Sequence, residues 1–303
     1  MAELCVRLFG RMLVQYCGAT IAGFEHRKVQ ELFCYLVLNH QQIHAREVLA
    51  TLLWCDSPTA QARKQLRHTL WQLQTALEQA GTAGTALLLV EPEWVQVKIT
   101  PLVWVDALDF GAADARVKDT APAQLSAADA QLLDQSVRLY QGDLLEGCYQ
   151  EWCLYERERE VMRLLGMLDR LVQHCLAHGR YEAGVGYGER ILRHDRTRER
   201  THRHLMQLHY LAGDRSEALR QFQRCSSALA DELGIEPSQQ TLHLADQIRA
   251  ERLEVERPAP IGAAAPIGQI VGDLRQMWSA LNVLQQQIKT YIDAIERAPR
   301  DPH

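Results

Sequence analysis

The chain has 303 residues, of which 47% are hydrophobic and 23% are charged, and its formal net charge at pH 7 is −5. This composition is typical of a globular protein of two or three domains and excludes a chain that is basic throughout, so contact with DNA would have to be local. The sequence has no apolar run of the roughly 18–20 residues that span a membrane and no signal-peptide core in its first residues. We therefore expect a cytoplasmic protein without a membrane partner.

The first hundred residues predict short strands, three helices and a β-hairpin, in that order. Alternating apolar residues over 4–21 indicate small strands joined by glycine turns. Apolar residues at helical spacing predict helices over about 26–39, 45–53 and 59–80, with Val48 on the buried face of the second. Two apolar runs around Glu91-Pro92-Glu93 predict the hairpin. This order is that of a winged helix-turn-helix, in which the third helix enters the major groove and the hairpin is the wing.

The third predicted helix carries the strongest functional signal of this region. Leucines recur on one side at spacings of four, three and four, and no acidic residue lies between Asp56 and Glu78. Cations on the other side can bind phosphates, and arginine or glutamine can read base edges. An ordinary amphipathic helix with a solvated basic face is the alternative interpretation. The candidate DNA-contacting residues are Arg46, Arg63, Lys64, Arg67, His68, Trp71, Gln74 and Lys98.

Beyond residue 103 the pattern is helical. Residues 111–125 are small and polar and predict a loop, followed by a helix with Ser126 as its N-cap and then by a long helix to about Ala177. Gly179 and Gly213 begin two similar segments and are 34 residues apart, which is the tetratricopeptide period. Further helices are expected near 180–193, 197–211, 215–232 and 238–254.

Several motifs resemble the SARP-like transcriptional activator family. Segments of the first domain resemble its OmpR-type winged helix: Val6–Gly10, Arg27–Leu32, Leu52–Trp54 and Ala62–Arg67. The segments Leu139–Asp143 and Ala228–Ser238 resemble the bacterial transcriptional activator domain, a tetratricopeptide-like helical domain, so the resemblance covers about residues 1–254. It implies a sequence-specific regulator, an activator that binds double-stranded promoter DNA as an oligomer and contacts RNA polymerase. Glu91 and Glu93 depart from the basic wing turn that the family leads us to expect.

The sequence therefore predicts a mainly α chain: an α+β winged helix-turn-helix, an α-helical tetratricopeptide-like domain and a C-terminal heptad helix. The expected boundaries are 1–102 for the DNA-binding domain, 103–257 for the helical domain, 258–268 for a linker and 269–298 for a coiled-coil-like helix. We expect the last segment to form a homodimer, with docking onto the body of the same chain as the alternative. Its heptad residues are Ile270, Leu274, Met277, Leu281, Leu284, Ile288, Tyr291 and Ile295.

A second group of arginines lies at the start of a helix in the second domain. It either forms a solvated helix face or binds a small anionic effector, and consists of Arg193, Arg196, Arg200 and Arg203. The sequence contains no phosphate-binding glycine loop, no dinucleotide-binding fingerprint and no His-Glu-x-x-His motif, so we expect neither an enzyme nor a cofactor or metal site. The alternative to a DNA-binding regulator is a tetratricopeptide-type adaptor or effector sensor whose winged helix contacts protein.

Overall fold

The computed structural model of this chain describes residues 3–81 and 87–252. The predicted linker and the predicted heptad helix lie outside these residues. Both therefore stay predictions, as does the homodimer that depends on them.

The N-terminal head is a winged helix-turn-helix, as the sequence predicts. Its elements are β1 (Leu4–Arg7), β2 (Leu13–Tyr16), β3 (Ala19–Thr20), α1 (Arg27–Leu38), β4 (His44–Ala45), α2 (Arg46–Leu53), α3 (Thr59–Gln79), β5 (Leu88–Val90) and β6 (Trp94–Val97). β1 and β3 both pair antiparallel with β2. β5 and β6 form the antiparallel hairpin of the wing, and β4 pairs with the other edge of β6.

The leucine stripe of α3 anchors that helix in the head. Leu66, Leu70, Leu73 and Leu77 are each at most 5% exposed, and α3 packs against α1 and α2. The prediction that Val48 is buried is wrong, since its side chain is 56% exposed. Only one side of the eight-residue α2 is fully covered, with Leu49 and Leu53 innermost. Val48 is adjacent to Leu49 in sequence and therefore points about 100° away from it around the helix.

A parallel strand connects the head to the helical domain. β7 (Val103–Val105) pairs with β1 and leads directly into the first helix. The helices are α4 (Asp106–Val117), a 3₁₀ turn (Pro122–Gln124), α5 (Ala127–Leu139), α6 (Glu151–Ala177), α7 (Tyr181–His194), α8 (Glu199–Leu211), α9 (Arg215–Leu233) and α10 (Gln239–Arg249). The predicted loop over 111–125 is wrong in its first half, because α4 continues to Val117. Its alanines are strong helix formers, and its small side chains suit close packing.

The predicted boundaries of α7, α8 and α9 agree with the structure to within two residues, whereas α10 ends at Arg249, five residues before the predicted end. The hydroxyl of Ser126 accepts a hydrogen bond from the backbone N–H of Asp129, which confirms it as an N-cap. Gly179 and Gly213 follow α6 and α8 with φ of +69° and +91°, in the left-handed region that favours glycine after a helix. In the second domain α6 packs against α7 and α8 packs against α9, and a glycine marks the turn within each pair.

The Leu139–Asp143 motif lies at the junction of the two domains. The N–H of Gly10 donates to the backbone oxygen of Asp143 at 2.8 Å, and the rings of Phe9 and Tyr140 lie 4.8 Å apart. The buried carboxylate of Asp106 accepts hydrogen bonds from the backbone N–H groups of Leu8 and Phe9. Burial raises the pKa of Asp106, although these N–H groups oppose the shift. Head and helical domain share one continuous hydrophobic core.

Candidate nucleic-acid interface

The face of α3 opposite its leucines is exposed and basic. Burial of those leucines leaves five of the predicted DNA-contacting side chains exposed: Arg63, Lys64, Arg67, His68 and Trp71. Gln74, one turn further along, is only partly exposed. Other described elements leave this face uncovered, so it is accessible to a macromolecule.

Three of the predicted arginines converge on one groove. Arg46, Arg63 and Arg67 line a space of about 660 Å³ between the start of α2, α3 and the wing turn. Arg46 also connects these elements, because its Nη1 donates to the backbone oxygens of Glu91 and Pro92 at 3.3 and 3.5 Å. Arg46 therefore ties the wing turn to the start of α2.

Two carboxylates lie in this groove, and only the position of Glu47 was not anticipated from the sequence. Glu47 forms an ion pair with Arg63, and Glu93 lines the same space. The two side chains of that ion pair are 55% and 72% exposed, and such pairs contribute only about 0–1 kcal/mol, so a phosphate can compete for Arg63. Among the described residues Arg67 has no hydrogen-bond or ion-pair partner. Glu47 precedes Arg63 by sixteen positions, and only the helix-turn-helix fold brings them together.

An aromatic pair lies on the same face. The rings of His68 and Trp71 are stacked with centroids 5.9 Å apart, and Trp71 is 60% exposed. A large exposed indole among cations is unusual for a merely solvated helix face, since tryptophan is mostly buried. It offers an apolar surface of the kind that contacts sugars and thymine methyl groups.

Lys98 lies apart from the groove. It follows β6, its side chain is exposed, and its backbone N–H donates to the oxygen of Leu87 at 2.8 Å. This places the backbone of Lys98 at the base of the wing, and Lys98 does not line the groove of the α3 arginines.

The predicted effector arginines separate into two pairs. Arg193 and Arg196 line a groove of the helical domain together with residues of α9. Arg200 pairs instead with Asp169 at 3.5 Å, and Arg203 donates to the Thr241 hydroxyl at 3.1 Å. Only half of the predicted set therefore faces one site. The predicted oligomerisation residues, from Ile270 onward, lie outside the described residues.

Residues 3–81 and 87–252 contain no candidate metal site and no candidate membrane-spanning helix. No group of three or more His, Cys, Asp or Glu side chains there could hold a metal ion. No helix in that part of the chain combines the length and the apolar character needed to cross a bilayer. The eight cysteines are free thiols.

Comparisons with known proteins agree with this architecture. The family described as bacterial transcriptional activator domain matches residues 105–249. The chain is similar to the transcriptional regulatory protein MoaR1 of Mycobacterium tuberculosis, with 26% identity over 70% of this chain and 68% of the relative. It is also similar to the transcriptional regulatory protein EmbR of the same organism, with 25% identity over 88% of this chain and 68% of the relative.

A solved structure shows the same fold. The structure of Mycobacterium tuberculosis EmbR in complex with low affinity phosphopeptide has a TM-score of 0.66 and 22% identity to this chain. The match covers 83% of this chain and 66% of that one, so the present chain spans just under two thirds of its length. Residues 105–249 therefore match the bacterial transcriptional activator domain, and the chain as a whole is similar to transcriptional regulatory proteins, in agreement with the resemblance seen in its sequence motifs.

Proposed function

We propose that the head, expected over residues 1–102, binds promoter DNA sequence-specifically, with α3 in the major groove and the β5–β6 wing beside it. One observation carries the proposal: α3 buries its four leucines and leaves a continuous cationic and aromatic face exposed. A helix docked in this way in a winged helix-turn-helix is the element that reads bases. The net charge of −5 is compatible with this, because the cations are concentrated on one face.

The side chains on this face have two different roles in the proposal. Arg63, Arg67 and Gln74 contact base edges, since arginine pairs with guanine and glutamine with adenine in bidentate geometry. Lys64 and His68 contact phosphates, which strengthens binding without selecting a sequence. Arg46 and Lys98 contact the sugar-phosphate backbone of the flanking DNA, and Arg46 also positions the wing turn.

Selection of bound oligonucleotides with the purified protein, followed by fluorescence anisotropy against salt, tests these roles. Arg67→Ala should weaken binding to the selected site by about 1–3 kcal/mol and relax preference at one base pair. Lys64→Ala should weaken binding to all DNA sequences alike. It should also reduce the slope of the logarithm of the binding constant against the logarithm of the salt concentration by about one unit. Arg138→Ala is the matched control, because Arg138 is an exposed arginine of the helical domain. Identical behaviour of the Arg67 and Lys64 variants would refute the assignment of roles.

We also propose that the protein binds as an oligomer and activates transcription through RNA polymerase. Two heads on one DNA would compensate by avidity for the modest charge of each. Removing the residues after Arg257 removes the predicted heptad helix and should lower the sedimentation mass and weaken operator binding. An unchanged mass would mean that the heptad residues do not mediate self-association. Transcription with purified polymerase from the selected site tests activation, and no increase on adding the protein would count against it.

The second candidate is an adaptor or effector sensor whose winged helix contacts protein. The acidic side chains favour it, because Glu47 occupies Arg63 and Glu93 lines the same groove. The oligonucleotide selection separates the two functions. An adaptor should recover no shared sequence, and Arg67→Ala should then leave its DNA affinity unchanged.

A further inference from the structure

A basic groove in the helical domain lies outside the proposed DNA-binding face. It has a volume of about 760 Å³ and is bounded by the end of α7, the α7–α8 turn, α8 and α9. Four arginines from three of these segments line it: Arg193, Arg196, Arg220 and Arg224. This volume is within the roughly 300–1,000 Å³ of small-molecule sites in proteins.

Positive charge exceeds negative charge around this groove. Arg220 and Arg224 both pair with the single carboxylate of Glu217, and Arg196 pairs with Glu232 at 3.4 Å. In the described part of the chain Arg193 has no hydrogen-bond or carboxylate partner. Glu189 also lines the groove. Four guanidinium groups are therefore set against three carboxylates near the groove: Glu189, Glu217 and Glu232. An anion can complete the coordination of these groups without displacing a buried ion pair.

The floor of the groove is a buried chain of hydrogen bonds. Nδ1 of His202 lies 2.8 Å from Nε2 of Gln221, and Nε2 of His202 lies 2.9 Å from the backbone oxygen of Arg196. Because an amide nitrogen only donates, Nδ1 accepts and the proton is on Nε2. Oε1 of Gln221 accepts from Arg224 at 2.6 Å. Since His202 and Gln221 are at most 3% exposed, this chain holds Arg224 and the Arg196 turn in place.

We propose that this groove binds a phosphorylated small molecule. Guanidinium groups bind phosphate oxygens in bidentate geometry, and two of the four, on Arg220 and Arg224, lie one helical turn apart on α9. The groove is much larger than a single phosphate. The partly exposed side chain of Leu192 also lines the groove and can pack against an organic body such as a nucleoside, while Leu205 and Ala228 are buried beneath it. The site does not involve α3, so it stands independently of DNA binding.

Titration calorimetry of the full chain with adenosine diphosphate tests the proposal. Arg193→Ala should raise the Kd at least tenfold, because it removes a charged donor, and tenfold corresponds to about 1.4 kcal/mol. Arg224→Ala should raise the Kd as well, while Arg200→Ala is the control. Arg200 belongs to the same basic segment and is exposed, but it pairs with Asp169 and does not line the groove. Its removal should change the Kd less than twofold.

Three results would overturn the proposal. One is the absence of adenosine diphosphate binding at millimolar concentration, and another is an equal loss in the Arg193 and Arg200 variants. The third is equal or stronger competition by a hexaglutamate peptide, which would make the groove a site for acidic protein segments. Arg193→Ala removes no described contact, so its fold should be preserved even where Arg224→Ala is unstable. Arg193→Ala should bind DNA with the affinity of the unaltered protein. A failure of the groove proposal can therefore be distinguished from a failure of the DNA-binding proposal.

Discussion

Two glycines of α7 provide a matched test of how closely the helices of the second domain pack. A Cβ added to Gly188 would lie 2.6 Å from Cδ2 and 2.9 Å from Cγ of Leu205, whose side chain is fully buried. A Cβ added to Gly186, half a turn away, would meet no atom within 4 Å. We therefore expect Gly186→Ala to stabilise the protein and Gly188→Ala to destabilise it.

The magnitudes follow from opposing effects. Alanine is favoured over glycine inside a helix by about 0.8–1 kcal/mol, and this gain is common to Gly186→Ala and Gly188→Ala. Carbon atoms in contact prefer about 3.5–4.0 Å, so at position 188 either α7 and α8 move apart or Leu205 leaves its rotamer. Such overpacking costs about 1–3 kcal/mol. The difference between the two variants should therefore be about 1–3 kcal/mol, because the propensity term cancels.

Urea denaturation followed by circular dichroism measures this difference as a shift in midpoint at constant m. Equal free energies of unfolding for the two variants would refute the claim that α7 and α8 pack closely at Gly188. Because Leu205 is buried directly beneath the basic groove, Gly188→Ala should in addition displace the groove wall and weaken adenosine diphosphate binding relative to Gly186→Ala.

Other substitutions test the cap, the junction and the buried histidine. Ser126→Ala should lower the free energy of unfolding by about 1 kcal/mol through loss of the α5 N-cap, measured by urea denaturation. Arg157→Ala removes hydrogen bonds to the backbone oxygens of residues 144, 145 and 148, and should cost about 2–4 kcal/mol, seen as a lower Tm than for the unaltered chain. Burial lowers the pKa of His202, so as pH falls through about 6.5 the unfolded chain takes up the proton first and stability declines. His202→Gln should reduce that decline by up to about 1.4 kcal/mol per pH unit, and an unchanged pH profile would contradict the assignment.

The shared core has a consequence for regulation. Phe9 and Gly10 of the head contact Tyr140 and Asp143 of the helical domain, and Asp106 accepts hydrogen bonds from the backbone N–H groups of Leu8 and Phe9. A head held in this way cannot turn independently of the helical domain without breaking buried hydrogen bonds. A ligand in the basic groove would therefore act on an assembly in which α3 and α9 belong to one compact unit.

Local sequence was sufficient for most secondary structure. The leucine spacing of α3, the Ser126 cap and the glycines after α6 and α8 each depend on interactions within a few residues, so they could be predicted without knowing the fold. The prediction of a loop after Phe110 was wrong because alanine and glycine occur both in loops and in closely packed helices. Its helix is stabilised by packing, because Phe110, Ala113 and Val117 of α4 are buried.

The sequence by itself determined which residues are basic, which face of α3 is apolar and where helices end, because these depend on composition and on the period of the helix. Only the tertiary structure decided which charges meet. It brought Glu47 to Arg63, and it brought Arg220 and Arg224 to Arg193 while leaving Arg200 with Asp169. Such groupings depend on how helices pack across long sequence separations, which side-chain spacing along one helix does not encode.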